Sequence, residues 1–247
     1  MNKFGLNAME IEFVHSVYMK KEMAKDVGRV AKELGVRLSI HAPYYINLSS
    51  EKKETIAASR KRIFDCADRG ESMGADAIAI HSAFYGKTEK DEVFEVVKTQ
   101  FLKILDEMRG AGIKDVKLGV ETMAKQSQFG TLDEVLELHR QVKQVIPYID
   151  WAHLFVRNQG SVDYGEVLDR LKKAGIRHIN SHFEGVKKNK KGEWVDIHEP
   201  IGNPSFEPLA EEVLKKKIDI TIISESPVLE KDSLKMKGVF QKGGYRF

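Results

Sequence analysis

Residues 72–81, SMGADAIAIH, hold the pattern from which the architecture follows. The end of a helical pattern runs into a glycine, and a short apolar, β-rich run then stops on a histidine. Glycine has no Cβ and enters the left-handed region just past a helix end without penalty, so Gly74 marks a helix-to-strand turn. The phrase recurs as KFGLN (3–7), ELGVR (33–37), GAGIK (110–114) and KAGIR (173–177), which places equivalent turns at Gly5, Gly35, Gly112 and Gly175.

Five β-rich runs follow these glycines: MEIEFV, VRLSIHAP, AIAIHSAF, VKLGVET and IRHINSHF. YIDWAHLF (148–155) and IDITIISES (218–226) bring the strand candidates to seven, and amphipathic helices are predicted over 21–34, 52–72, 91–109, 131–145, 163–173 and 206–216. Alternating strand and helix means a parallel sheet with helices outside. No linker or low-complexity break divides it. This many units over 247 residues predict a single α/β domain, 1–247, of the TIM-type (β/α) barrel class. A complete barrel has eight strands, and only a remnant of helix precedes MEIEFV, so the expectation is either a missing first strand, which makes the domain N-terminally short, or a sheet closed by something else. The tail GVFQKGGYRF (238–247) is a candidate to cover the gap. A gap left open would expose two strand edges, a route to edge-mediated association of an otherwise monomeric chain.

Composition narrows the partners. Forty Lys and Arg against 37 Asp and Glu leave a formal charge of +3, too small for nucleic-acid binding by bulk charge alone. Any polyanion contact must be local. The one cysteine, Cys66, forms no internal disulfide and excludes a thiolate metal site, which points to a reducing, cytoplasmic setting. The opening MNKFGLNAMEIEF has no signal-peptide apolar core, and no stretch approaches a membrane span.

The predicted strands end on chemistry: His41, His81, Glu121, Asp150 with His153, His182, and Glu225. A lone histidine in such a run is more often a hydrogen-bonded core residue. Together these groups lie at the C-terminal strand ends, where barrels of this class keep their active sites, and crowding them into one mouth is costly without a cation. Asp150-x-x-His153 leaves a strand for a turn, and Asp196-x-His198 puts two side chains on one face of an extended segment. All donors are nitrogen or oxygen, which suits zinc or manganese. Nine candidates are too many for one ion. A multinuclear site is a standard device for attack on a phosphodiester. No Gly-x-Ser-x-Gly elbow, phosphate loop or dinucleotide glycine fingerprint offers another chemistry.

The ordered set HAPYYINLSS (41–50), AIAIHSAFYG (77–86), GVETMAKQSQFGTLDE (119–134), IDWAHLFVRNQG (149–160), SHFEGV (181–186), VDIHEPIG (195–202) and ISESPVLEKDSLKMK (223–237) resembles the successive motifs of the endonuclease IV family, apurinic/apyrimidinic endonucleases on a xylose-isomerase-like TIM barrel. The resemblance covers nearly the whole chain. It implies three Zn²⁺ ions, with Mn²⁺ an alternative at one position. His41, His81 and Glu121 would hold the first, Glu121 bridging to a second held by Asp150, His182 and Glu225, and His153, Asp196 and His198 would hold the third. It further implies hydrolysis of the phosphodiester 5′ to an abasic site in double-stranded DNA by a metal-bridging hydroxide, with Glu225 and Glu121 as the catalytic carboxylates.

By the same resemblance Tyr44 and Tyr45 reach the DNA near the lesion, where aromatic wedging is cheapest. The basic run Lys187, Lys188, Lys190 and Lys191 lies in the loop between His182 and the Asp196/His198 pair and is placed to neutralise phosphates, as are Arg157 and Asn158 beyond His153. His15 stands where the family often carries arginine, and Ser82 where it commonly has proline. The competing reading is a sugar isomerase or epimerase on the same barrel with one divalent metal, which would have no reason to keep His153, Asp196 and His198 together.

Overall fold

A computed structural model describes residues 2–247. Contacts divide the chain into two compact units, one of residues 7–121 with 127–147 and the other of residues up to 6, 122–126 and 148–247.

The first unit repeats strand and helix: β1 (Ala8–Glu12), α1 (Lys21–Glu33), β2 (Arg37–His41), α2 (Lys53–Met73), β3 (Ala77–Ile80), α3 (Lys90–Gly110), β4 (Lys117–Glu121) and α4 (Leu132–Gln141). The strands pair in parallel, with Glu12 opposite His41, Ile40 opposite Ile78 and Ile80 opposite Val120. All four residues of β3 are buried, as expected of a strand covered on both faces. Ile40, Ile63, Ile78, Val97, Phe101, Leu118 and Val120 belong to the core that the helices close. Gly28 lets α1 approach the last turn of α2, because a Cβ there would collide with the Met73 carbonyl. α4 starts on a reciprocal cap in which Thr131 and Glu134 satisfy each other's backbone N–H groups.

The second unit takes up β5 (Val145–Asp150) from Tyr148 onward and continues through α5 (Trp151–Arg157), α6 (Tyr164–Lys173), β6 (His178–Phe183), β7 (Gly185–Lys188), β8 (Trp194–Glu199), α7 (Glu207–Lys216), β9 (Asp219–Ser224) and α8 (Glu230–Lys242). β6 lies parallel between β5 and β9, with Asp150 opposite His182 and His182 opposite Ile223. β7 and β8 form a separate antiparallel hairpin. Phe183 meets Phe206 edge-on with ring centroids 4.9 Å apart, and Phe206 meets Phe240 in the same way at 5.4 Å, which seats α8.

Seven strands form the main sheet, in the order β1-β2-β3-β4-β5-β6-β9, which agrees with the predicted count. All five glycines of the recurring phrase have positive φ, between 61° and 86°. Four local expectations are corrected. The helix predicted over 131–145 ends at Gln141, because Val145 already belongs to β5. The run YIDWAHLF is strand only to Asp150, whose carboxylate caps α5 by accepting from the His153 N–H at 2.6 Å. The tail adds no strand: residues to Lys242 extend α8, and Tyr245 and Phe247 fold back on Phe240. The lysine run is a hairpin rather than a loop, with Lys187 and Lys188 in β7. Among the described residues no helix is long and apolar enough to cross a membrane.

Candidate metal centre

In the first unit, parallel register carries two donors off neighbouring strands. Ile80 faces Val120, so His81 and Glu121 leave β3 and β4 side by side, and His41 ends β2 on the other flank. The Nε2 atoms of His81 and His41 lie 3.1 and 3.5 Å from Glu121 Oε2. His41 Nδ1 donates to the carbonyl oxygen of Ala42 at 2.8 Å, a bond that fixes the tautomer and leaves Nε2 as the lone-pair atom. His41 and Glu121 are buried and His81 is half-buried.

The second unit holds the other six predicted donors. His182 Nδ1 stands 3.5 Å from Glu225 Oε1 and 3.9 Å from Asp150 Oδ2. His153 Nε2 is 3.5 Å from Asp196 Oδ2, and His198 Nε2 is 3.4 Å from Asp196 Oδ1. Both imidazoles are oriented from behind by backbone: His153 Nδ1 bonds the Thr122 carbonyl at 2.9 Å and His198 Nδ1 the Glu225 carbonyl at 3.0 Å. The hairpin brings Asp196 and His198 to His153 through the packing of β8 on α5, where Trp194 meets Phe155 at 4.9 Å.

Three properties bear on whether these residues fit divalent metal. First, the donor chemistry is nitrogen and oxygen only, suitable for zinc. Second, the separations of 3.1–3.5 Å are long for charge-assisted hydrogen bonds. They match instead the edge of a tetrahedron, about 3.4 Å, around an ion with bonds of about 2.1 Å. Third, Glu184, just past β6, is 0% exposed, and neither of its carboxylate oxygens has a hydrogen-bond partner among the described residues. Such a group takes a proton or faces a cation.

The electrostatics follow. Burial, then the negative charges of Asp150 and Glu225, push Glu184 well above the usual carboxylate range, partly offset by His153 and His198. Burial also works to raise Asp196, yet the imidazoles of His153 and His198 outweigh it and hold that carboxyl far below its ordinary value. Asp196 in turn raises His198 to about 10. A divalent cation bound at this group would displace protons.

Sequence reasoning missed Glu184. The signal was present in SHFEGV, because residues two apart in an extended segment share a face and Glu184 follows His182 at that spacing.

The predicted DNA-contact residues have different placements. Tyr44 and Tyr45 are 46% and 61% exposed, with Tyr44 5.1 Å from the His41 ring and 5.6 Å from His81. Tyr45 stacks on His15 at 5.7 Å. Lys187 and Lys188 are exposed, the first paired with Glu199 and the second over the Trp194 ring at 5.0 Å. Arg157 is not at the surface: it is buried, and its Nη1 donates to the Met123 and Lys125 carbonyl oxygens at 3.0 and 2.9 Å, tying α5 to residues 122–126. Asn158 ends α5 as its C-terminal cap.

A family model described as Xylose isomerase-like TIM barrel matches residues 1–238, and the chain belongs to that family, with its TIM-type α/β fold. It is 32% identical over 246 residues to "Uncharacterized protein MJ0133" of Methanocaldococcus jannaschii, covering 95% of this chain and 87% of that one. It is 25% identical over 228 residues to "Probable endonuclease 4" of Mycoplasma mobile, covering 87% and 77%. Among solved structures, endonuclease IV from Thermus thermophilus superposes with a TM-score of 0.74 at 21% identity over 97% of this chain and 91% of that one. A D-tagatose 3-epimerase-like protein gives the same TM-score of 0.74 at 20% identity over 96% and 87%. The two structures thus establish a shared fold and do not separate the two chemistries.

Proposed function

We propose that this chain is a zinc-dependent DNA-repair endonuclease of the cytoplasm that hydrolyses the phosphodiester 5′ to an abasic site in double-stranded DNA. The observation that carries the reading is the meeting of His153, Asp196 and His198 beside a second group, Asp150, His182 and Glu225. A single-metal sugar isomerase or epimerase has no use for both. Endonuclease 4 relatives add support from sequence.

His41, His81 and Glu121 would hold one ion, and the two groups of the second unit would hold two more. When bound, the ions supply positive charge against the phosphodiester and activate water. The chain's own residues do the rest. Glu225 orients the attacking water and accepts its proton at a carboxylate oxygen, while Glu121 fixes the imidazole pair of the first group. The backbone carbonyls behind His41, His153 and His198 keep each Nε2 aimed inward. Tyr44, exposed against the His41 ring, and Tyr45, exposed on His15, stack where a base is absent, and the lysines of the β7–β8 hairpin meet phosphates.

The test is incision of a duplex carrying one synthetic abasic site, with zinc measured on the same preparation. Cutting on the 5′ side with about three zinc ions per chain is expected. A fully zinc-loaded protein that leaves the duplex intact would sink the endonuclease reading, and ketose interconversion with one bound metal would establish the epimerase instead.

A further inference from the structure

We infer that Glu184 is a tenth metal ligand, a carboxylate shared between the Asp150/His182/Glu225 group and the His153/Asp196/His198 group. The inference rests on the metal-dependent reading above and adds a residue that the endonuclease IV resemblance does not assign.

Position is the first support. One Glu184 oxygen lies with donor atoms of His153, Asp196 and His198 inside a cluster whose members are all within 4.8 Å of one another. A second cluster on the same criterion contains Glu184, Asp150 and Glu225, so Glu184 belongs to both. Satisfaction is the second support. The side chain is fully buried, and among the described residues both oxygens lack hydrogen-bond partners, so each is available to a different ion. A buried carboxylate kept without any donor is expensive, and two cations on either side remove that cost.

The backbone explains why the side chain stays there. Gly185 pairs with Glu199 at the mouth of the hairpin, and a Cβ on it would collide with the Pro200 carbonyl. The Val186 N–H donates to the Asn203 carbonyl at 2.6 Å. Glu184 is therefore pinned where β6 hands over to β7, between the strand that carries His182 and the hairpin that carries Asp196 and His198. A fourth carboxylate in the second unit lowers the net charge of its two groups by one unit. It also gives the third ion two carboxylates and two imidazoles, a complete tetrahedral set before substrate arrives.

The experiment uses the full chain, stripped of metal and titrated with Co²⁺, whose visible absorption reports coordination. Glu184→Gln keeps the shape and removes the charge. Wild type is expected to take up about three Co²⁺, and Glu184→Gln to lose at least about tenfold in affinity for one or two of them with an altered spectrum. Glu184→Asp, which keeps a carboxylate, should recover part of the loss. Circular dichroism should show the metal-free Gln variant folded and melting close to metal-free wild type, because the substitution keeps the shape and adds no charge at a buried position. Wild-type affinity and spectrum in Glu184→Gln would overturn the inference while leaving the metal reading intact. A wild-type chain that binds no Co²⁺ would overturn both.

Discussion

The two units build their candidate ligand groups by different means. In the first, three donors step off three adjacent parallel strands, and two imidazoles face one carboxylate. In the second, the donors come from a strand end, a helix start, a hairpin and the segment after β9, and three imidazoles face four carboxylates, Asp150, Glu184, Asp196 and Glu225. The first group sets a single carboxylate against two imidazoles. The second is an excess of buried negative charge, so its shape depends far more on what it binds.

That contrast sets the largest expected effect. Chelation should abolish incision, by at least about 10³-fold, and lower the melting temperature. Hydrogen exchange should show the loosening concentrated in residues 182–199 and around His153, with the amides of β2 to β4 much less affected. Equal loosening of both regions would break the comparison.

Next in size, His182→Ala should reduce incision about 10²- to 10³-fold and lower zinc content in the second unit. His81→Ala should remove about one ion and leave the Co²⁺ spectrum of the second unit unchanged. Metal analysis of the two variants side by side is the check.

Two carboxylate clamps away from the candidate ligand groups extend the comparison to stability. Asp232 in the second unit is buried and accepts from Ser226 Oγ at 2.6 Å and the Ile201 N–H at 2.7 Å, beside the Lys235 ammonium at 2.5 Å. Burial opposes ionisation, but Lys235, Ser226 and Ile201 together hold the carboxyl below its usual range. A depressed pKa contributes stability above the unfolded value and loses it as pH falls through the folded one. Asp232→Asn should therefore cost about 2 kcal/mol at pH 7 in urea unfolding, and the difference from wild type should shrink below about pH 4.

Tyr45→Ala should weaken binding of abasic duplex about tenfold while zinc content stays unchanged. A loss of zinc would mean that the Tyr45–His15 stack serves the first metal group rather than DNA.

The smallest effect is at Glu71, the clamp of the first unit. Burial works to raise its pKa, but the carboxylate accepts from the N–H groups of Asp115, Val116 and Lys114 at 2.9–3.2 Å, and these donors win and lower it. The sign matches Asp232. Because solvent reaches this site, Glu71→Gln should cost under about 1 kcal/mol at pH 7, again fading in acid.

Legibility in the sequence followed locality. The five glycines announced their turns because a positive φ just past a helix depends on the few residues around it. The donors of the first group were visible as strand endings because parallel strands deliver successive C-terminal residues to one edge. Arg157 looked like a surface contact beyond His153, and nothing in VRNQG says that residues 122–126 wrap its guanidinium. Trp151 to Phe155 read as strand since its apolar run fits either period, and the Asp150 cap decided for helix. The lysine run became a hairpin because Asn189 closes its turn, its carboxamide oxygen accepting the Lys191 and Glu193 N–H groups.

The amino-acid order alone determined the alternation of strand and helix, the seven-strand count and the inventory of nitrogen and oxygen donors, since each is a property of short windows and side-chain chemistry. Only the tertiary structure decided that Glu184 is fully buried without a hydrogen-bond donor and that a hairpin carries Asp196 and His198 to His153. Burial and convergence are made by residues distant in the chain, and no local pattern encodes them.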